Sequence, residues 1–230
     1  EGKTMIERVV DNCLDAKIPK KVVLCTDNQQ IAEVIKNKNI EIYFTKKECS
    51  SGSERIASVL QRFIKDKNLK KTLIINVQGD QPFLDSKILD QMCLEFHKID
   101  PKPDVLTPIY KLPFDKIHDP NVVKTLIDND KNAIYFSRSA LPHIRGIDKQ
   151  KWFNHYDFMG HAGIYGFRGD ILNNWSNLRY SKLAELESLE QLKLIESGLK
   201  IRTFKIEKES LSVDTLQHLE EARHIAKENK

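Results

Sequence analysis

Two aspartates in the chain have the chemistry to share a metal ion. Asp80 comes shortly after the apolar run Thr72–Val77, and Asp214 precedes the last helical stretch. Mg²⁺ held by two carboxylates and by substrate phosphates is a usual arrangement in phosphoryl and nucleotidyl transfer. Either aspartate alone is equally well explained as a turn residue or a helix cap. Together they predict a shared Mg²⁺ site, with Gln78 beside it.

A hydroxyl-rich loop leads into a predicted helix and could hold a phosphate. The loop contains Ser51, Gly52 and Ser53, and Arg55 follows shortly after them in the helix. Backbone N–H groups and the helix dipole favour an anion at such a position. The guanidinium can bind a phosphate or the edge of a base. For the Ser-Gly-Ser sequence alone, a plain helix start with Ser53 as the N-cap is the simpler interpretation.

Several polar side chains in the second half of the chain have the chemistry of a sugar-acid pocket. An arginine suits a carboxylate, whereas histidine, tyrosine, glutamate and glutamine suit hydroxyl groups. These residues are Arg138, His161, Tyr165, Glu190 and Gln191. Each one taken singly is better explained as a structural residue. Their order along the chain, together with the two aspartates, favours a functional role.

The elements that would position these residues alternate between helix and strand. Apolar spacing predicts a helix over Thr4–Ala16, and short apolar runs predict strands over Lys21–Cys25 and Thr72–Val77. This order is typical of a parallel sheet with helices on its faces. Ligands bind beyond the carboxyl ends of such strands, where Thr26 and Asp27 also lie.

The middle of the chain follows a different pattern. Residues 102–167 contain strand-like runs separated by Pro and Asn-Asp turns, including a hairpin around Asp128–Asn132. Beyond this segment, the pattern predicts a helix over Leu186–Ser197, a strand over Lys200–Lys205 and a last helix from Thr215. The sequence therefore predicts a single domain, in which an α/β sheet is interrupted by a β-rich insertion and then completed.

The composition excludes several classes of protein. With 230 residues, 40% hydrophobic residues and four cysteines without a CxxC pair, the chain fits a protein with its own core and no disulfide framework or zinc site. Its net charge of +4 is spread along the chain, which fits small anionic substrates better than nucleic acid. There is no signal-peptide pattern and no apolar run long enough to cross a bilayer. We therefore expect a cytoplasmic protein without membrane insertion.

The motifs resemble those of the 3-deoxy-manno-octulosonate cytidylyltransferase (CMP-Kdo synthetase) family, in the same order and over nearly the whole chain. The matching stretches are Thr26-Asp27, SGSER from Ser51, NVQGDQP from Asn76, DPNVVK from Asp119, YFSRS from Tyr135, HAGIYGF from His161, ESLEQL from Glu187 and VDT from Val213. The resemblance implies an α/β fold with a Rossmann-like nucleotide-binding sheet flanked by helices. It also implies a homodimer, with residues 102–167 as a smaller β-rich dimerisation lobe.

The family joins CTP to Kdo and releases diphosphate, which supplies an activated sugar for lipopolysaccharide assembly. By motif position, the resemblance implies that Asp80 and Asp214 hold Mg²⁺ and that Gln78 stands between nucleotide and sugar. On the nucleotide side it places Thr26, Asp27, Ser51, Gly52, Ser53 and Arg55. In the Kdo pocket it places Arg138, His161, Tyr165, Glu190 and Gln191.

The chain departs from the family pattern in a few places. Ser53, Glu54 and Gln81 stand where Thr, Asp and Glu are usual, and these changes are conservative. The family's first strand and the basic loop that wraps the triphosphate have no match from Glu1 onward. We expect residues ahead of Glu1 to supply them in the full protein, and the chain without them to bind CTP weakly. The alternatives are a cytidylyltransferase for 8-amino-Kdo or a sialic acid, and a truncated relative without catalytic activity.

Overall fold

The protein has a mixed α/β fold in a computed structural model that describes residues 2–65 and 68–228. The helices in these residues are α1 (Met5–Asp15), α2 (Gln29–Ile35), α3 (Gly52–Phe63), α4 (Ser86–Lys98), α5 (Gly169–Asn173), α6 (Lys182–Glu187), α7 (Glu190–Glu196) and α8 (Leu216–Glu228). The strands are β1 (Val23–Thr26), β2 (Glu41–Phe44), β3 (Leu73–Asn76), β4 (Val105–Lys111), β5 (Lys124–Ile127), β6 (Ala133–Ser137), β7 (Met159–His161), β8 (Tyr165–Arg168) and β9 (Ile201–Lys205). Among the described helices, none is long and apolar enough to cross a membrane.

Local sequence signals set several helix starts. Thr4 and Glu7 form a capping box at the start of α1, where the Thr4 hydroxyl accepts from the Glu7 N–H and the Glu7 carboxylate accepts from the Thr4 N–H at 2.7 Å. Asn28 and Asp85 cap α2 and α4 with their side-chain oxygens. These caps satisfy N–H groups that have no partner within the helix. As a result, α1 begins close to the predicted position.

The strands form two sheets. β1 and β2 pair in parallel, and β3 to β9 form a seven-stranded sheet in the order β3-β8-β4-β7-β5-β6, with β9 paired to β4. In this larger sheet β9 runs parallel to β4, and the other pairs are antiparallel. The predicted parallel pairing is therefore right for β1–β2 and β4–β9 and wrong around β3. β3 pairs with β8, a strand far along the chain, and no local pattern sets the direction of such a pair.

The strands of residues 102–167 lie inside the larger sheet. Asn76 of β3 is paired with Tyr165 of β8, which brings two of the predicted site motifs side by side. The predicted hairpin is present as β5–β6, and its turn is closed by the Asp128 side chain, which accepts from the Asn132 N–H at 2.7 Å. A role for this segment in a dimer stays a prediction.

The largest buried cluster joins the sheet to the helices that carry the site motifs. It includes Leu60 of α3, Phe136 of β6, Phe167 of β8, and Leu192 and Leu194 of α7, each 1% exposed or less. Burying a side chain of this size stabilises the fold by about 1.5–3 kcal/mol relative to leaving it exposed. Because α3, α7 and β8 share one core, the polar side chains that they carry are held in fixed relative positions.

The helix predicted over Leu186–Ser197 is in fact two helices, α6 and α7. They are separated at Ser188, whose backbone is left-handed with φ 53° and whose N–H donates to carbonyls in the last turn of α6. Residues other than glycine seldom adopt this conformation, and apolar spacing does not reveal it. The break directs Glu187 and Glu190 to different partners.

The cysteines have the properties of structural thiols. All four are free. Burial raises the pKa of Cys13, Cys25 and Cys93 to about 11. Near neutral pH these three thiols stay protonated, so they do not act as nucleophiles.

Candidate active site

Asp80 lies just after β3 and carries a buried oxygen that the protein leaves without a partner. Its Oδ1 atom accepts no hydrogen bond within residues 2–65 and 68–228. Burial raises the pKa of Asp80, and the charge of Asp214 raises it further, whereas hydrogen bonds from its own N–H and from Ser212 act in the opposite direction. An unpaired carboxylate oxygen beside a second carboxylate is costly unless a cation joins the two.

A backbone contact brings Asp214 to this position. The N–H of Val213 donates to the carbonyl of Asp80 at 2.9 Å, and Asp214 follows with an exposed side chain. Asp214 is not the cap of α8, because the Thr215 hydroxyl accepts from the His218 N–H at 3.1 Å. In the described part of the chain, no three or more His, Cys, Asp or Glu side chains are grouped to hold a metal. The two carboxylates therefore fit a divalent cation that completes its coordination with phosphates and water.

The repulsion between the two aspartates predicts a measurable titration. Because the pKa of Asp80 is raised in the folded state, Asp80 favours folding most at low pH, and this stabilisation is lost as the pH rises through the raised pKa. The Asp214→Asn substitution removes the like charge, so the pKa of Asp80 should fall in this variant. NMR titration of the isotope-labelled Asp80 carboxyl in metal-free protein measures the shift. Equal pKa values in wild type and variant would show that the two side chains are not coupled.

The start of α3 presents a buried serine to the site. The helix is capped by Ser51, whose hydroxyl accepts from the Glu54 N–H at 3.2 Å, so the interpretation of Ser53 as the N-cap is wrong. Ser53 is fully buried within the first turn. Its hydroxyl donates to Glu190 Oε1 at 2.8 Å and accepts from Asn76 Nδ2 at 3.1 Å. Side chains from three separate motifs therefore meet at Ser53.

Gly52 allows the first turn of α3 to lie against the end of β3. A Cβ atom at this position would lie 3.2 Å from Asn76 Nδ2 and 3.3 Å from both amide atoms of Gln78. A larger residue would therefore push the helix start away from the strand end. Gln78 lies beside the helix start and shortly before Asp80 in the chain, and its position between nucleotide and sugar stays a prediction.

Arg55 and Asp27 form an ion pair, with 2.9 Å between Nη1 and Oδ1. The same nitrogen donates to the Thr45 hydroxyl and to the carbonyl of Lys46. Thr26 is buried, and its hydroxyl accepts from a backbone N–H at the start of α2 at 3.1 Å. A guanidinium paired with a carboxylate offers little net charge to a phosphate. The pair therefore suits a base or ribose edge better than the triphosphate, and its contact with a nucleotide stays a prediction.

Two neighbouring residues at the start of α7 each present an unpaired polar atom. Glu190 Oε1 accepts from Ser53, whereas Oε2 is buried without a partner in the described residues. Burial raises the pKa of Glu190, and hydrogen bonds from the serines at the start of α3 oppose this effect. Gln191 Oε1 accepts from the Tyr165 hydroxyl at 2.8 Å, which leaves Gln191 Nε2 as an unpaired donor in the same residues. The site therefore presents both an acceptor and a donor to a ligand.

His161 is a neutral, buried residue beside Tyr165 in the same site. Its Nε2 atom lies 2.9 Å from the Thr107 hydroxyl, and that hydroxyl donates to the carbonyl of Ile164 at 2.7 Å. The hydroxyl must then accept from the imidazole, which assigns the ring proton to Nε2. Burial lowers the pKa of His161 to about 3, so the ring carries no charge at neutral pH. It packs against the rings of Phe136 and Tyr165, with centroids 4.9 and 5.2 Å away.

Arg138 is anchored by α6 and by the loop before β5. Its backbone N–H donates to the Glu187 carboxylate at 2.9 Å, its Nε donates to the Glu187 carbonyl at 2.8 Å, and its Nη1 donates to the Pro120 carbonyl at 3.2 Å. The buried ammonium of Lys124 donates to three backbone carbonyls, including that of Arg138. Burial lowers the pKa of Lys124. These contacts fix the guanidinium, and they leave its Nη2 group without a partner in the described residues.

Within the described residues, the buried side-chain atoms without a hydrogen-bond partner all belong to this site. They are Asp80 Oδ1, Gln81 Oε1, Glu190 Oε2 and Gln191 Nε2. Buried polar groups in folded proteins are nearly always paired, so these atoms are candidate positions for a ligand or an ordered water. Gln81 is not among the predicted site residues. Its signals in the sequence are its place beside Asp80 in the NVQGDQP motif and its departure from the Glu that is usual there.

Known relatives match along nearly the whole chain. The family model described as cytidylyltransferase matches residues 1–201. The 3-deoxy-manno-octulosonate cytidylyltransferase of Chlorobium phaeobacteroides (strain BS1) is 34% identical over 232 residues, which cover 100% of this chain and 89% of the relative. The proteins of the same name from Porphyromonas gingivalis and Syntrophotalea carbinolica are 31% and 35% identical. Those matches cover 96% and 95% of this chain, and 85% and 86% of the relatives.

Solved structures agree with these matches. A structure of CMP:2-keto-3-deoxy-manno-octonic acid synthetase complexed with CTP superimposes with a TM-score of 0.88 at 28% identity, covering 100% of this chain and 90% of its own. A cytidylyltransferase from Leptospira borgpetersenii shares the fold, with a TM-score of 0.59 at 15% identity over 97% of this chain and 75% of its own. The predicted α/β class and the family resemblance are both confirmed. On the evidence of the matching family model and of relatives at 31–35% identity, the chain belongs to the cytidylyltransferase family.

Proposed function

We propose that this protein transfers the cytidylyl group of CTP to Kdo, giving CMP-Kdo and diphosphate. The observation that carries the proposal is the set of four buried, unpaired polar atoms. The Asp80 oxygen beside Asp214 suits a cation that holds a triphosphate, and the other three atoms suit a ligand rich in hydroxyl groups. The shared name of the curated relatives and the CTP complex of the structural relative support the same reaction.

In this reaction one bond forms and one breaks. The anomeric hydroxyl oxygen of Kdo attacks the α-phosphorus of CTP in line, and the bond from that phosphorus to the bridging oxygen of diphosphate breaks. The hydroxyl gives up its proton to solvent water as the new phosphodiester forms. The side chains mainly position the substrates: Glu190 and Gln191 orient hydroxyl groups, and Arg138 binds the sugar carboxylate. No side chain forms a covalent intermediate.

We further propose Mg²⁺ as the cofactor, with Asp80 and Asp214 as its protein ligands. Bound there, Mg²⁺ would offset the negative charge of the triphosphate and of the departing diphosphate. The unpaired Oδ1 atom of Asp80 and the repulsion from Asp214 support this assignment. Because the pKa of Asp80 is raised, protons compete with the metal for this carboxylate more strongly than for an ordinary aspartate.

Diphosphate release tests the proposed function directly. The purified full-length protein, with any residues that precede Glu1, should release diphosphate from CTP in the presence of Mg²⁺ and Kdo. Mass spectrometry should identify CMP-Kdo as the other product. Omitting any one of the three components should abolish the release. Parallel reactions with 8-amino-Kdo and a sialic acid test related substrates, and a higher kcat/KM for either would assign that sugar acid instead. Absence of diphosphate with all three sugar acids would contradict the proposal.

Arg138→Lys should raise the KM for Kdo about tenfold and change the KM for CTP little. A guanidinium can bind a carboxylate through two parallel hydrogen bonds, whereas an ammonium acts as a single point charge. Steady-state kinetics with each substrate varied in turn measure both constants. Arg145→Lys, at an exposed arginine, is the control and should behave like wild type. An increase in the KM for CTP alone would place Arg138 on the nucleotide side.

We also propose a cytoplasmic homodimer that contacts through residues 102–167 and whose product serves lipopolysaccharide assembly. In this segment Phe114 and Phe153 are 50% and 46% exposed, and their ring centroids are 4.8 Å apart. Exposed aromatic side chains of this kind are common at the centre of protein interfaces. The free thiols support a reducing compartment.

A further inference from the structure

Gln81 is a buried polar residue of the site to which the sequence motifs give no role. It directly follows Asp80 and is 5% exposed. Its backbone belongs to the turn after β3, where its N–H donates to the Gln78 carbonyl and its own carbonyl accepts from the Leu84 N–H at 3.2 Å. Its Oε1 atom is buried, and no group in the described residues donates to it. A buried amide oxygen without a donor is unfavourable in the free protein.

A backbone carbonyl fixes the orientation of the Gln81 amide. The Nε2 atom donates to the carbonyl of Ala162 at 3.4 Å. Because a carbonyl only accepts, the amide nitrogen must face Ala162, and the oxygen must face the other way. Gly163, the next residue, has φ 62°, a left-handed backbone conformation that favours glycine. Oε1 is therefore a fixed acceptor on the side of the amide away from Ala162.

Gln81 connects the two halves of the candidate active site. On one side it adjoins Asp80, the carboxylate beside which the triphosphate would bind. On the other side it contacts the loop between His161 and β8, and the first residue of β8, Tyr165, donates to Gln191. The sugar would bind near Gln191, and its attacking hydroxyl must reach the triphosphate beside Asp80. A sugar acid that spans these two halves would pass the turn that carries Gln81.

We propose that Gln81 determines sugar specificity, with its Oε1 atom accepting a hydrogen bond from one hydroxyl group of the sugar acid. This proposal rests on the proposed function. A buried acceptor discriminates against a ligand without the matching donor, because the acceptor then stays unpaired.

Kdo analogues that each lack one hydroxyl group test the proposal. For wild type, one analogue should show a kcat/KM about tenfold or more below that of Kdo because of Gln81. Gln81→Met keeps the size of the side chain and removes its hydrogen bonds. It should raise the KM for Kdo about tenfold, leave the KM for CTP within about twofold, and abolish the penalty of that one analogue. Gln81→Glu keeps an acceptor oxygen and should retain the penalty.

Gln91→Met is the matched control. Gln91 lies away from the site, and its Nε2 atom also donates to a backbone carbonyl, that of Lys205, at a distance of 3.3 Å. It should leave all constants and all penalties unchanged.

Gln81 has no role in specificity if the penalties are identical in wild type and Gln81→Met, or if the KM for CTP rises in place of that for Kdo. Should Gln81→Met fail to fold, loss of the penalty in the folded Gln81→Glu protein would overturn the proposal. If wild type releases no diphosphate with any sugar acid, the proposed function fails and this inference fails with it.

Discussion

Asp80→Asn should lower turnover about a hundredfold or more and leave the melting temperature unchanged or slightly higher. The catalytic loss follows from the removal of one of two charges that hold the cation beside the triphosphate. The stability should not fall, because burial and Asp214 both disfavour the charged form of Asp80, and no protein group donates to its Oδ1 atom in the described residues. Diphosphate release at saturating Mg²⁺ and thermal unfolding measure the two effects.

Asp85→Asn provides a matched control for the loss of an aspartate charge. The Asp85 side chain caps α4 by accepting from the Lys87 N–H at 2.9 Å, and asparagine caps a helix equally well. This variant should therefore retain wild-type turnover. Wild-type turnover in Asp80→Asn would remove Asp80 from the metal site, and a large fall in its melting temperature would indicate a structural role.

Glu190→Gln should lower kcat/KM for Kdo about ten- to a hundredfold, mainly through a higher KM for Kdo. A sugar hydroxyl that donates to ionised Glu190 makes a charge-assisted hydrogen bond of about 1.5–3 kcal/mol, and a neutral amide provides less. The contact with Ser53 can persist, because the amide oxygen still accepts from that hydroxyl. The melting temperature should not decrease, since burial raises the pKa of Glu190 and so disfavours its charge. Kinetics with Kdo varied at saturating CTP give the result.

Glu196→Gln is the corresponding control, on the same helix. The Glu196 carboxylate also accepts from the hydroxyl of a buried serine, Ser181, but neither of its oxygens is among the buried unpaired atoms of the described residues. The KM for Kdo and the kcat/KM for Kdo should both stay at their wild-type values. A lower melting temperature with an unchanged KM for Kdo in Glu190→Gln would assign Glu190 to the fold and exclude it from the sugar site.

The sequence predicts those parts of the fold that depend on neighbouring residues. The helix predicted from Thr4 and the hairpin around Asp128 are local, and both are present in the structure. Strand pairing in the larger sheet depends on contacts between distant segments, so the partner of β3 could not be predicted. The left-handed backbone of Ser188 has no signature in side-chain spacing, and for this reason the break between α6 and α7 was not expected.

For the site, the sequence predicts which motifs matter better than it predicts what their side chains contact. The charge of Asp214 acts on Asp80, so the two carboxylates are near each other, and their shared metal site stays a prediction. The bond from Ser53 to Glu190 joins motifs far apart in the chain, and helix-start chemistry favoured a cap instead. Gln81 could not be recognised from its residue type, because its significance depends on burial and on the carbonyl of Ala162.

The break at Ser188 also affects how the pocket can change during evolution. In one continuous helix Glu187 and Glu190 would project from nearly the same face. Because the helix is interrupted, Glu187 anchors Arg138 while Glu190 bonds to Ser53. Deletion of one residue at this junction would change how α7 is joined to α6 and would displace Glu190 and Gln191 together. Insertions and deletions here can therefore alter ligand choice, in natural divergence or in directed evolution, without changing the strands that carry the nucleotide-side motifs.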